Sequence, residues 1–484
     1  MLLLAAILFP MLAGTVISAV PNTEEGRNRL YTCAIIVTDL LGIAAFLYGK
    51  AIAPLSLTEN VVLAFSLDEL GRYVMLAVML LYTAVCFYSF EYMKHEERPN
   101  VFFAFFFISY GAMLSVCMSA NLVTLYLCFE TLTLTSVPLV LHELTKDAVA
   151  AGLKYLFYSV AGALLGLLAV FFVYYLSNGN TTFVAGGFLN QAGIAGHEKL
   201  LLAVVMTGIV GFGTKAGLYP MHGWLPTAHP IAPAPASALL SGIVAKAGVV
   251  AIIRLVYYSV GTELIAGTWV QYVWMTLSLL TIFMGSLMAF RETVTKKRLA
   301  YSTVSQLSYI LLGLSFLTQE SMRGALMHLM GHVAAKGCLF LCAGVFIYKL
   351  GATRVTELKG IGKRMPVTMW CFTIASLSLV GIPPMAGFLS KWVIASAAIT
   401  ADMGVFSILA PVILLISALL TAGYLLTVVV HAFFPGHAEA EAETEEAVVS
   451  AEPSKLMTIP MICLCTAAVV VGIWGNTLTG FFGF

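Results

Sequence analysis

Fourteen apolar segments, each about as long as a membrane-spanning helix, recur along the chain and leave few other folds open. A helix needs about 20 apolar residues to cross the hydrocarbon core of a bilayer. Of the 484 residues 60% are hydrophobic and only 10% are charged, whereas soluble domains carry about a quarter charged residues. The sequence therefore predicts an all-α polytopic membrane protein with about 14 transmembrane helices. The predicted spans are residues 2–20, 30–49, 72–92, 101–119, 121–142, 150–177, 199–220, 235–258, 270–290, 299–318, 322–349, 366–395, 403–434 and 456–478.

Lysine and arginine are concentrated on one side of this predicted topology. The connections that lead from odd-numbered to even-numbered helices hold most of them, and the opposite side holds only Lys50, Arg72, Lys199 and Arg323. Because positive residues favour the cytoplasmic side, the rich face is predicted to be cytoplasmic in the cell's inner (plasma) membrane, with both termini on the outer side. Residues 2–20 are interpreted as the first span, not as a cleaved signal. A net charge of +1 gives no indication of a nucleic-acid partner.

Two predicted helices, the seventh and the twelfth, carry glycine and proline where a regular helix cannot continue. The six residues that begin at Pro220 resemble those that begin at Pro384, and four of the six are identical. Matching broken helices in two halves of a transporter are typical of inverted repeats around a transport site, so two inverted five-helix repeats are predicted. The predicted domains are 1–100, an N-terminal three-helix segment; 101–258, the first repeat; 270–434, the second repeat; 435–455, an acidic linker; and 456–484, a C-terminal helix.

Glu130 is an ionisable residue near the middle of predicted helix five, and Lys215 lies sixteen residues into predicted helix seven, just before its break. A charged side chain at the bilayer centre costs about 3 kcal/mol on insertion scales, and an opposite charge stabilises both ions against desolvation. One interpretation is a proton switch, in which the separation of the two groups decides whether Lys215 holds its proton. The other interpretation is a static buried ion pair that fastens the two helices together.

Further titratable side chains continue this pattern in predicted helices eight, eleven and twelve. Lys246 lies within helix eight, His328 and His332 share one face of helix eleven four residues apart, and Lys336 continues that face. Lys391 follows the glycine–proline break of helix twelve. Groups within hydrogen-bond reach, directly or through water, carry protons, so a polar line in the middle of the membrane is predicted. A histidine pair at this spacing also suits zinc, but without a third ligand no metal site is predicted.

Other polar residues have two interpretations or a structural one. His222 and His229 lie in the proline-rich turn after helix seven and either gate an exit or cap the broken helix. Arg254 is expected near an end of helix eight, with its head group reaching towards water. The residues interpreted as structural or as topology determinants are Asp39, Glu91, Lys296, Lys297 and Arg298.

The cysteines and the acidic segment add little to the functional prediction. The nine cysteines lie in apolar runs and form no Cys-x-x-Cys motif, so we expect reduced core cysteines and neither iron–sulfur nor zinc sites. Residues 436–454 form an acidic segment, which is either a solvated tether or a docking strip for a basic neighbour.

Several of these motifs together resemble the antiporter-like subunit family. They are the run from Lys215-Ala-Gly through Pro220, His222 and Trp224-Leu-Pro, the later Lys246-Ala-Gly, Glu130, the run from His328 through His332 to Lys336, and Gly381-Ile-Pro-Pro through Lys391. The resemblance covers about residues 68–434. This family supplies proton-pumping subunits of complex I (NADH:quinone oxidoreductase), large subunits of Mrp-type sodium/proton antiporters, and subunits of membrane-bound hydrogenases.

The resemblance implies a proton-translocating, non-redox subunit of a multisubunit redox-driven complex, with no cofactor of its own. Glu130, Lys215, Lys246 and an exit-side Lys391, linked by histidines and water, would carry the protons. The implied partners are other membrane subunits, among them further antiporter-like subunits and a redox module. The first alternative is the large subunit of an Mrp-type antiporter, with Na+ as a second ion. A solitary secondary transporter for an organic solute and a zinc enzyme at the histidine pair are further alternatives.

Overall fold

The computed structural model describes residues 1–21, 23–56, 58, 61–189, 193–435 and 451–484. Within these ranges the chain is almost wholly helical. The α-helices are α1 (Leu2–Ala19), α2 (Glu24–Tyr48), α3 (Glu69–Tyr92), α4 (Pro99–Cys117), α5 (Leu122–Val140), α6 (Lys146–Leu176), α7 (Glu198–Lys215), α8 (Leu225–Ile231), α9 (Ala234–Leu239), α10 (Lys246–Leu255), α11 (Trp269–Arg291), α12 (Thr295–Ser315), α13 (Gln319–Leu350), α14 (Ile361–Arg364), α15 (Pro366–Val380), α16 (Ala386–Thr400), α17 (Val405–Phe433) and α18 (Lys455–Phe481).

One small hairpin departs from the all-helical prediction. Strands β1 (Ile52–Ser56) and β2 (Val62–Phe65) pair antiparallel in the connection between α2 and α3, with Ile52 opposite Phe65. The hairpin lies outside every predicted span, where strand pairing can satisfy the backbone polar groups of a connection that is not helical. It leaves the membrane architecture unchanged.

Eleven helical segments of the described chain are long and apolar enough to cross a membrane. This confirms a polytopic, predominantly helical membrane protein. The other three predicted spans fall on α7, on α12 and on the pair α15–α16. That these three segments also cross the membrane stays a prediction. The total of fourteen transmembrane helices therefore stays a prediction as well.

The helices α7 and α15 both stop within two residues of a glycine in the left-handed region. Gly217 has φ of +75° and Gly381 has φ of +96°, a backbone conformation that other residues rarely adopt. Pro220 and Pro384 follow three residues later, and a proline has no N–H with which to continue a helix. Helices α8 and α16 then resume the chain. The breaks therefore lie at matching positions, whereas the inverted arrangement of the two halves stays a prediction.

Predicted helix eight is a composite of α9, a π-helical turn (Leu240–Val244), α10 and a second π-helical turn (Val256–Val260). In the first turn the Ala245 N–H donates to the Leu240 carbonyl five residues back, at 3.1 Å. Such widened turns interrupt α-helices mostly at functional sites. Here the turn immediately precedes Lys246, and every residue from Ala234 to Leu255 is buried.

The long helix α13 runs through the middle of the second half. It begins at Thr318, whose hydroxyl accepts from the Ser321 N–H (3.1 Å) in a capping box, and it ends at Gly351 in the left-handed conformation. These are the usual start and stop signals of a helix. Helix α13 packs against α9, α12, α15, α16 and α18, so the polar residues in its middle, His328, His332 and Lys336, lie inside the protein.

Most of the predicted acidic linker lies outside the described residues, but its last residues are bound to the protein. Glu452 accepts hydrogen bonds from the Thr368 N–H (3.1 Å) and from the Thr368 hydroxyl (2.8 Å) in the first turn of α15. A carboxylate is stabilised at the N-terminus of a helix because the helix dipole is positive there. This end of the segment therefore docks on the chain itself.

Candidate functional site: a buried line of lysines and histidines

Lys215, the last residue of α7, is only 1% exposed and contacts two side chains of α5. Its ammonium donates a hydrogen bond to Thr133 Oγ1 at 2.6 Å and lies 4.7 Å from the centre of the Phe129 ring. A hydroxyl acceptor and an aromatic face both stabilise a buried cation. The structure therefore supplies Lys215 with partners other than a carboxylate, and Thr133 is one that sequence reasoning missed.

Glu130 lies on the same helix as Thr133, but it is not in contact with Lys215. The ion pairs found among the described residues, with N···O distances up to 4.0 Å, do not include these two groups, although they interact electrostatically. Glu130 Oε1 is buried and has no hydrogen-bond partner. The alternative of a closed ion pair fastening α5 to α7 is therefore wrong for this structure, which holds the carboxylate and the ammonium apart.

Lys246 and His332 form the closest contact of the site. The ammonium of Lys246 lies 2.6 Å from Nδ1 of His332 and donates to the Ser241 carbonyl at 2.5 Å. Both side chains are at most 1% exposed. Nε2 of His332 is buried without a partner among the described residues, so this ring has one nitrogen on the lysine and one available to a second group.

His328 lies one turn of α13 before His332, and the two ring centres are 6.2 Å apart. Its Nδ1 is 2.9 Å from the hydroxyl of Ser390 on α16, and its Nε2 is 3.1 Å from Oε1 of Gln306 on α12. Both ring nitrogens are therefore paired, and the hydroxyl and the amide fix the ring. Ser390 and Gln306 were not found from the sequence.

Lys391 follows Ser390 and occupies the break between α15 and α16. Its ammonium donates to the carbonyls of Leu379 (2.6 Å) and Val380 (3.0 Å), the last residues of α15. These carbonyls have no helical partner because the helix ends there, and the negative end of the helix dipole favours a cation. The ammonium also lies 5.0 Å from the centre of the Tyr309 ring, which stacks on His328 at 5.3 Å.

The structure thus groups four of the predicted residues, which we call the central line: Lys246, His332, His328 and Lys391. Lys246 and His332 are hydrogen-bonded, the rings of His332 and His328 are 6.2 Å apart, and Lys391 and His328 lie against the same Tyr309 ring. Lys215 is connected to the central line only through the packing of α7 against α10. A methyl group on Gly248 of α10 would lie 3.2 Å from Lys215 Cβ, so α7 and α10 are in close contact there. No hydrogen bond among the described residues joins Lys215 to Lys246.

Lys336 lies one turn beyond His332 and has a separate acceptor. It is fully buried and donates to the Leu299 carbonyl of α12 at 3.0 Å. The Thr303 hydroxyl donates to the same carbonyl (2.9 Å) and is 2.7 Å from the Ser241 hydroxyl. Lys336 is therefore connected to the neighbourhood of Lys246 through hydroxyl groups and not through His332.

The two histidines of the proline-rich turn have different surroundings. His222 is half-buried and stacks on Tyr219 at 5.7 Å. His229 is fully buried and stacks on Phe340 at 4.9 Å, with neither ring nitrogen bonded to a described residue. It interacts electrostatically with Lys246, Lys296 and Lys336. Both interpretations of these two histidines, an exit gate or a cap on the broken helix, stay predictions.

Two basic residues differ from their predicted surroundings. Lys296, interpreted as a topology determinant, is 5% exposed and donates to the Ala232 carbonyl in the proline-rich turn. Arg254, expected to reach towards water, is 1% exposed. Its two terminal nitrogens bind the two carboxylate oxygens of Asp68 at 2.5 and 2.6 Å, and its guanidinium lies over the Tyr258 ring at 4.6 Å.

Asp68 lies outside the membrane-spanning helices, immediately before α3. Burial raises the pKa of its carboxyl group, but the hydrogen bonds and the charge of Arg254 lower it more, so the pKa lies below its ordinary value. Asp68 also caps α3 by accepting from the Gly71 N–H at 3.0 Å. The pair therefore ties α10 to the start of α3. Sequence reasoning missed this pair because the two residues are far apart along the chain.

Asp39 and Glu91 make local contacts, in keeping with their structural interpretation. Asp39 accepts from the hydroxyls of Thr83 (2.6 Å) and Tyr110 (2.7 Å). Glu91 binds Lys94 at 3.1 Å. Among the residues that the structure describes, no three His, Cys, Asp or Glu side chains are grouped as metal ligands are.

Comparison with known proteins assigns the chain to a family. Residues 119–421 match the family described as the membrane part of NADH:quinone oxidoreductase/Mrp antiporter, and residues 56–103 match the N-terminal part of chain 5 of NADH-ubiquinone oxidoreductase (complex I).

Individual relatives agree with this match. NADH-quinone oxidoreductase subunit N of Desulforudis audaxviator is 31% identical over 85% of this chain and 82% of its own. Hydrogenase-4 component B of Escherichia coli is 33% identical over 68% of this chain, which spans half of that relative.

A solved structure shows that the fold is shared as well. The structure of the Mrp complex from Dietzia sp. DQ12-45-1b contains a chain that superposes with a TM-score of 0.81 at 21% identity, over all of this chain and 96% of that one. Because the family match covers more than half of the sequence and a relative of similar length is 31% identical, the chain belongs to the NADH:quinone oxidoreductase/Mrp antiporter family of membrane subunits.

Proposed function

We propose that the chain is a proton-translocating subunit of a multisubunit, redox-driven membrane complex of the NADH:quinone oxidoreductase or hydrogenase type. The observation that supports it most is the 2.6 Å contact of Lys246 with His332, inside a line that continues to His328 and Lys391. A lysine and a histidine at hydrogen-bond distance can exchange a proton directly. A buried ammonium is otherwise too costly to keep in a membrane helix.

The separated Glu130 and Lys215 act as the switch in the first half. When the carboxylate approaches, its charge favours the protonated lysine; when it withdraws, the desolvated lysine loses its proton. Two observations support this switch: the Thr133 hydroxyl is an alternative partner for the Lys215 side chain, and one Glu130 oxygen has no partner among the described residues. Moving one charge against 100 mV requires about 2.3 kcal/mol, so a rearrangement of one ion pair is energetically sufficient.

The proposal includes the topology and the partners. The two halves are inverted five-helix repeats, the lysine- and arginine-rich face is cytoplasmic, and both termini lie on the outer side of the inner membrane. The chain binds no cofactor of its own. Energy reaches it from a redox module and from neighbouring antiporter-like subunits, in agreement with relatives whose names describe subunits of larger complexes.

The second candidate function is the large subunit of an Mrp-type Na+/H+ antiporter. The likeness in fold to a chain of an Mrp complex, over nearly the whole length of both, favours it. The two candidates share the buried line and differ in whether Na+ is exchanged for the proton.

The experiment uses inverted vesicles that contain the complete complex and a fluorescent reporter of the proton gradient. A redox-driven pump forms the gradient on addition of the electron donor without Na+, whereas an antiporter dissipates a preformed gradient when Na+ is added. Lys215→Ala should abolish either activity. Lys199→Ala, at an exposed position near the start of the same helix, is the matched control and should leave it unchanged. Intact transport in Lys215→Ala vesicles would contradict the proposal.

A further inference from the structure

A groove at one end of the helical bundle has a positive and a negative side chain among its lining residues. It lies between the first turn of α13, the helix α16 and the last turns of α18, outside the central line. Its volume is about 510 Å³, within the range of about 300–1,000 Å³ that is usual for small-molecule sites. The residues that line it include Glu320 and Arg323 of α13, Trp392 of α16 and Asn476 of α18.

Arg323 has only neutral partners in the described part of the chain. Its Nη2 donates to Asn476 Oδ1 at 3.1 Å, and its Nε donates to the Thr479 hydroxyl at 3.4 Å. None of the ion pairs found among the described residues includes Arg323. A guanidinium has five N–H donors, and two of them are used here. Three donors and an uncompensated positive charge are therefore available to a ligand in the groove.

Glu320 lies three residues before Arg323 on the same helix and also forms no ion pair with a described residue. An acid and a base at this spacing usually attract one another on a helix surface. Glu69 and Arg72 in the first turn of α3 have the same spacing and form an ion pair at 2.9 Å. In α13 the arginine instead binds α18, so the groove keeps two separate and opposite charges.

The wall that α16 contributes to the groove is apolar and aromatic. The rings of Phe388 and Trp392 stack with their centres 6.1 Å apart, and Trp392 is 64% exposed. Tryptophan is enriched where the hydrocarbon core of a membrane meets the head groups. Along α18 the exposed apolar surface continues away from the charged end, at Ile473 and Val470. The groove therefore combines a charged end with an apolar wall long enough to receive acyl chains.

We propose that this groove binds one molecule of a zwitterionic phospholipid that carries a primary amine, such as phosphatidylethanolamine. The phosphate binds the free N–H groups of Arg323, because a guanidinium and a phosphate form strong charge-assisted hydrogen bonds. The amide nitrogen of Asn476 donates to the same phosphate, since its carbonyl oxygen is already used by Arg323. The ammonium of the head group binds Glu320, and the acyl chains lie against Phe388 and Trp392.

Charge complementarity decides between this lipid and other occupants. An anionic phospholipid or inorganic phosphate would satisfy Arg323 but would be repelled by the carboxylate of Glu320 and leave it without a partner. A head group with a phosphate and an ammonium satisfies both side chains. The inference is independent of the proposed function, because it requires only that the chain lies in a bilayer.

A second groove of the protein provides an internal comparison. It is lined by Phe46, Glu69 and Arg72 among others and has a similar volume, about 480 Å³. Its acid and base neutralise one another at 2.9 Å, so it offers apolar surface without two separate charges. Arg72 is therefore the matched control for Arg323.

The test measures the lipid retained by the complete complex in detergent, by native mass spectrometry, after addition of phosphatidylethanolamine, phosphatidylglycerol or inorganic phosphate. The parent complex should retain one more phosphatidylethanolamine than the complex with Arg323→Gln, in which binding should be roughly tenfold weaker because charge-assisted hydrogen bonds are lost. Glu320→Gln should remove the preference for phosphatidylethanolamine over phosphatidylglycerol. Arg72→Gln should behave as the parent does.

Several outcomes would overturn the proposal. Equal retention by Arg323→Gln and Arg72→Gln would do so, as would equal binding of the two lipids by the parent complex or displacement of the lipid by inorganic phosphate. Cross-linking of Ser396→Cys to a neighbouring subunit would identify the groove as a protein contact instead. If Arg323→Gln does not assemble, the head-group preference of Glu320→Gln decides, because Glu320 is exposed and its replacement leaves the packing intact.

Discussion

The ammonium of Lys246 and Nδ1 of His332 are 2.6 Å apart in a part of the protein where both side chains are almost completely buried. At that distance the two nitrogens are hydrogen-bonded, and a protonated lysine needs an unprotonated ring nitrogen as its acceptor. The other ring nitrogen is left without a partner. His332 is therefore placed to receive a proton on one side and to release it on the other.

The first prediction concerns Thr133, the only hydrogen-bond partner of the Lys215 ammonium in the described chain. Thr133→Val keeps the shape of the side chain but removes the hydrogen-bond acceptor. The position of Lys215 against α5, away from Glu130, then loses about 1.5 kcal/mol of stabilisation. We expect proton translocation to slow by roughly tenfold, and Thr133→Ser to restore it. Thr131→Val is the control, because the exposed Thr131 hydroxyl bonds only to its own helix. Equal rates in all three variants would show that Thr133 does not position Lys215.

The second prediction concerns Gly381, whose left-handed conformation ends α15 and exposes the carbonyls that hold Lys391. A methyl group there would lie 3.3 Å from Lys391 Cδ in a backbone region unfavourable to alanine. Gly381→Ala should cost about 1–2 kcal/mol of stability and should also reduce translocation. Gly351→Ala has comparable backbone strain with nothing within 4 Å and should reduce stability alone. Thermal unfolding measures the loss of stability in both variants, and vesicle assays measure their proton translocation. Equal translocation by Gly381→Ala and Gly351→Ala would contradict the role given to Gly381.

The third prediction concerns the pair formed by Arg254 and Asp68. Arg254→Ala removes two charge-assisted hydrogen bonds and should lower stability by about 2 kcal/mol. Arg72→Ala, which breaks a pair that is 30% and 52% exposed, should cost less than about 1 kcal/mol. The comparison is made by thermal unfolding in detergent. Equal shifts of the midpoint would mean that burial adds nothing to the first pair.

The fourth prediction is the pH dependence of the same pair. The pKa of Asp68 in the folded protein lies below its unfolded value of about 4, so the carboxylate contributes stability at neutral pH. That contribution is present above the unfolded pKa and is lost as the pH falls through the folded pKa. The acid side of the stability profile should therefore be shallower in Asp68→Asn than in the parent protein. Identical acid profiles would show that Asp68 is not a linked group.

The sequence was sufficient for the fold class and for most of the titratable residues. Apolar length predicted fourteen spans, and eleven of them match helical segments of the described chain that are long and apolar enough to cross a membrane. The high cost of charge in a membrane singled out the lysines and histidines. What it missed were neutral partners. Thr133, Ser390 and Gln306 are ordinary residues of apolar helices, and nothing in a single sequence distinguishes a hydroxyl that meets a lysine from one that bonds to its own helix.

Long-range pairs were missed for a related reason. Arg254 was expected to reach towards water because its partner, Asp68, lies before α3 and far away in sequence. Lys296 looked like a topology determinant because it adjoins Lys297 and Arg298, yet its neighbour in space is the Ala232 carbonyl. Such contacts depend on how helices pack, which hydrophobic periodicity alone does not specify.

In the proposed function, protons pass along the line from Lys246 through His332 and His328 to Lys391. The most direct measurement is proton translocation by vesicles that contain the complete complex with His332→Ala, normalised to the amount of assembled complex. We expect a loss of at least about a hundredfold, and no further loss in the double variant Lys246→Ala/His332→Ala, because the two residues act as a unit. Translocation by His332→Ala at the parent rate would contradict it.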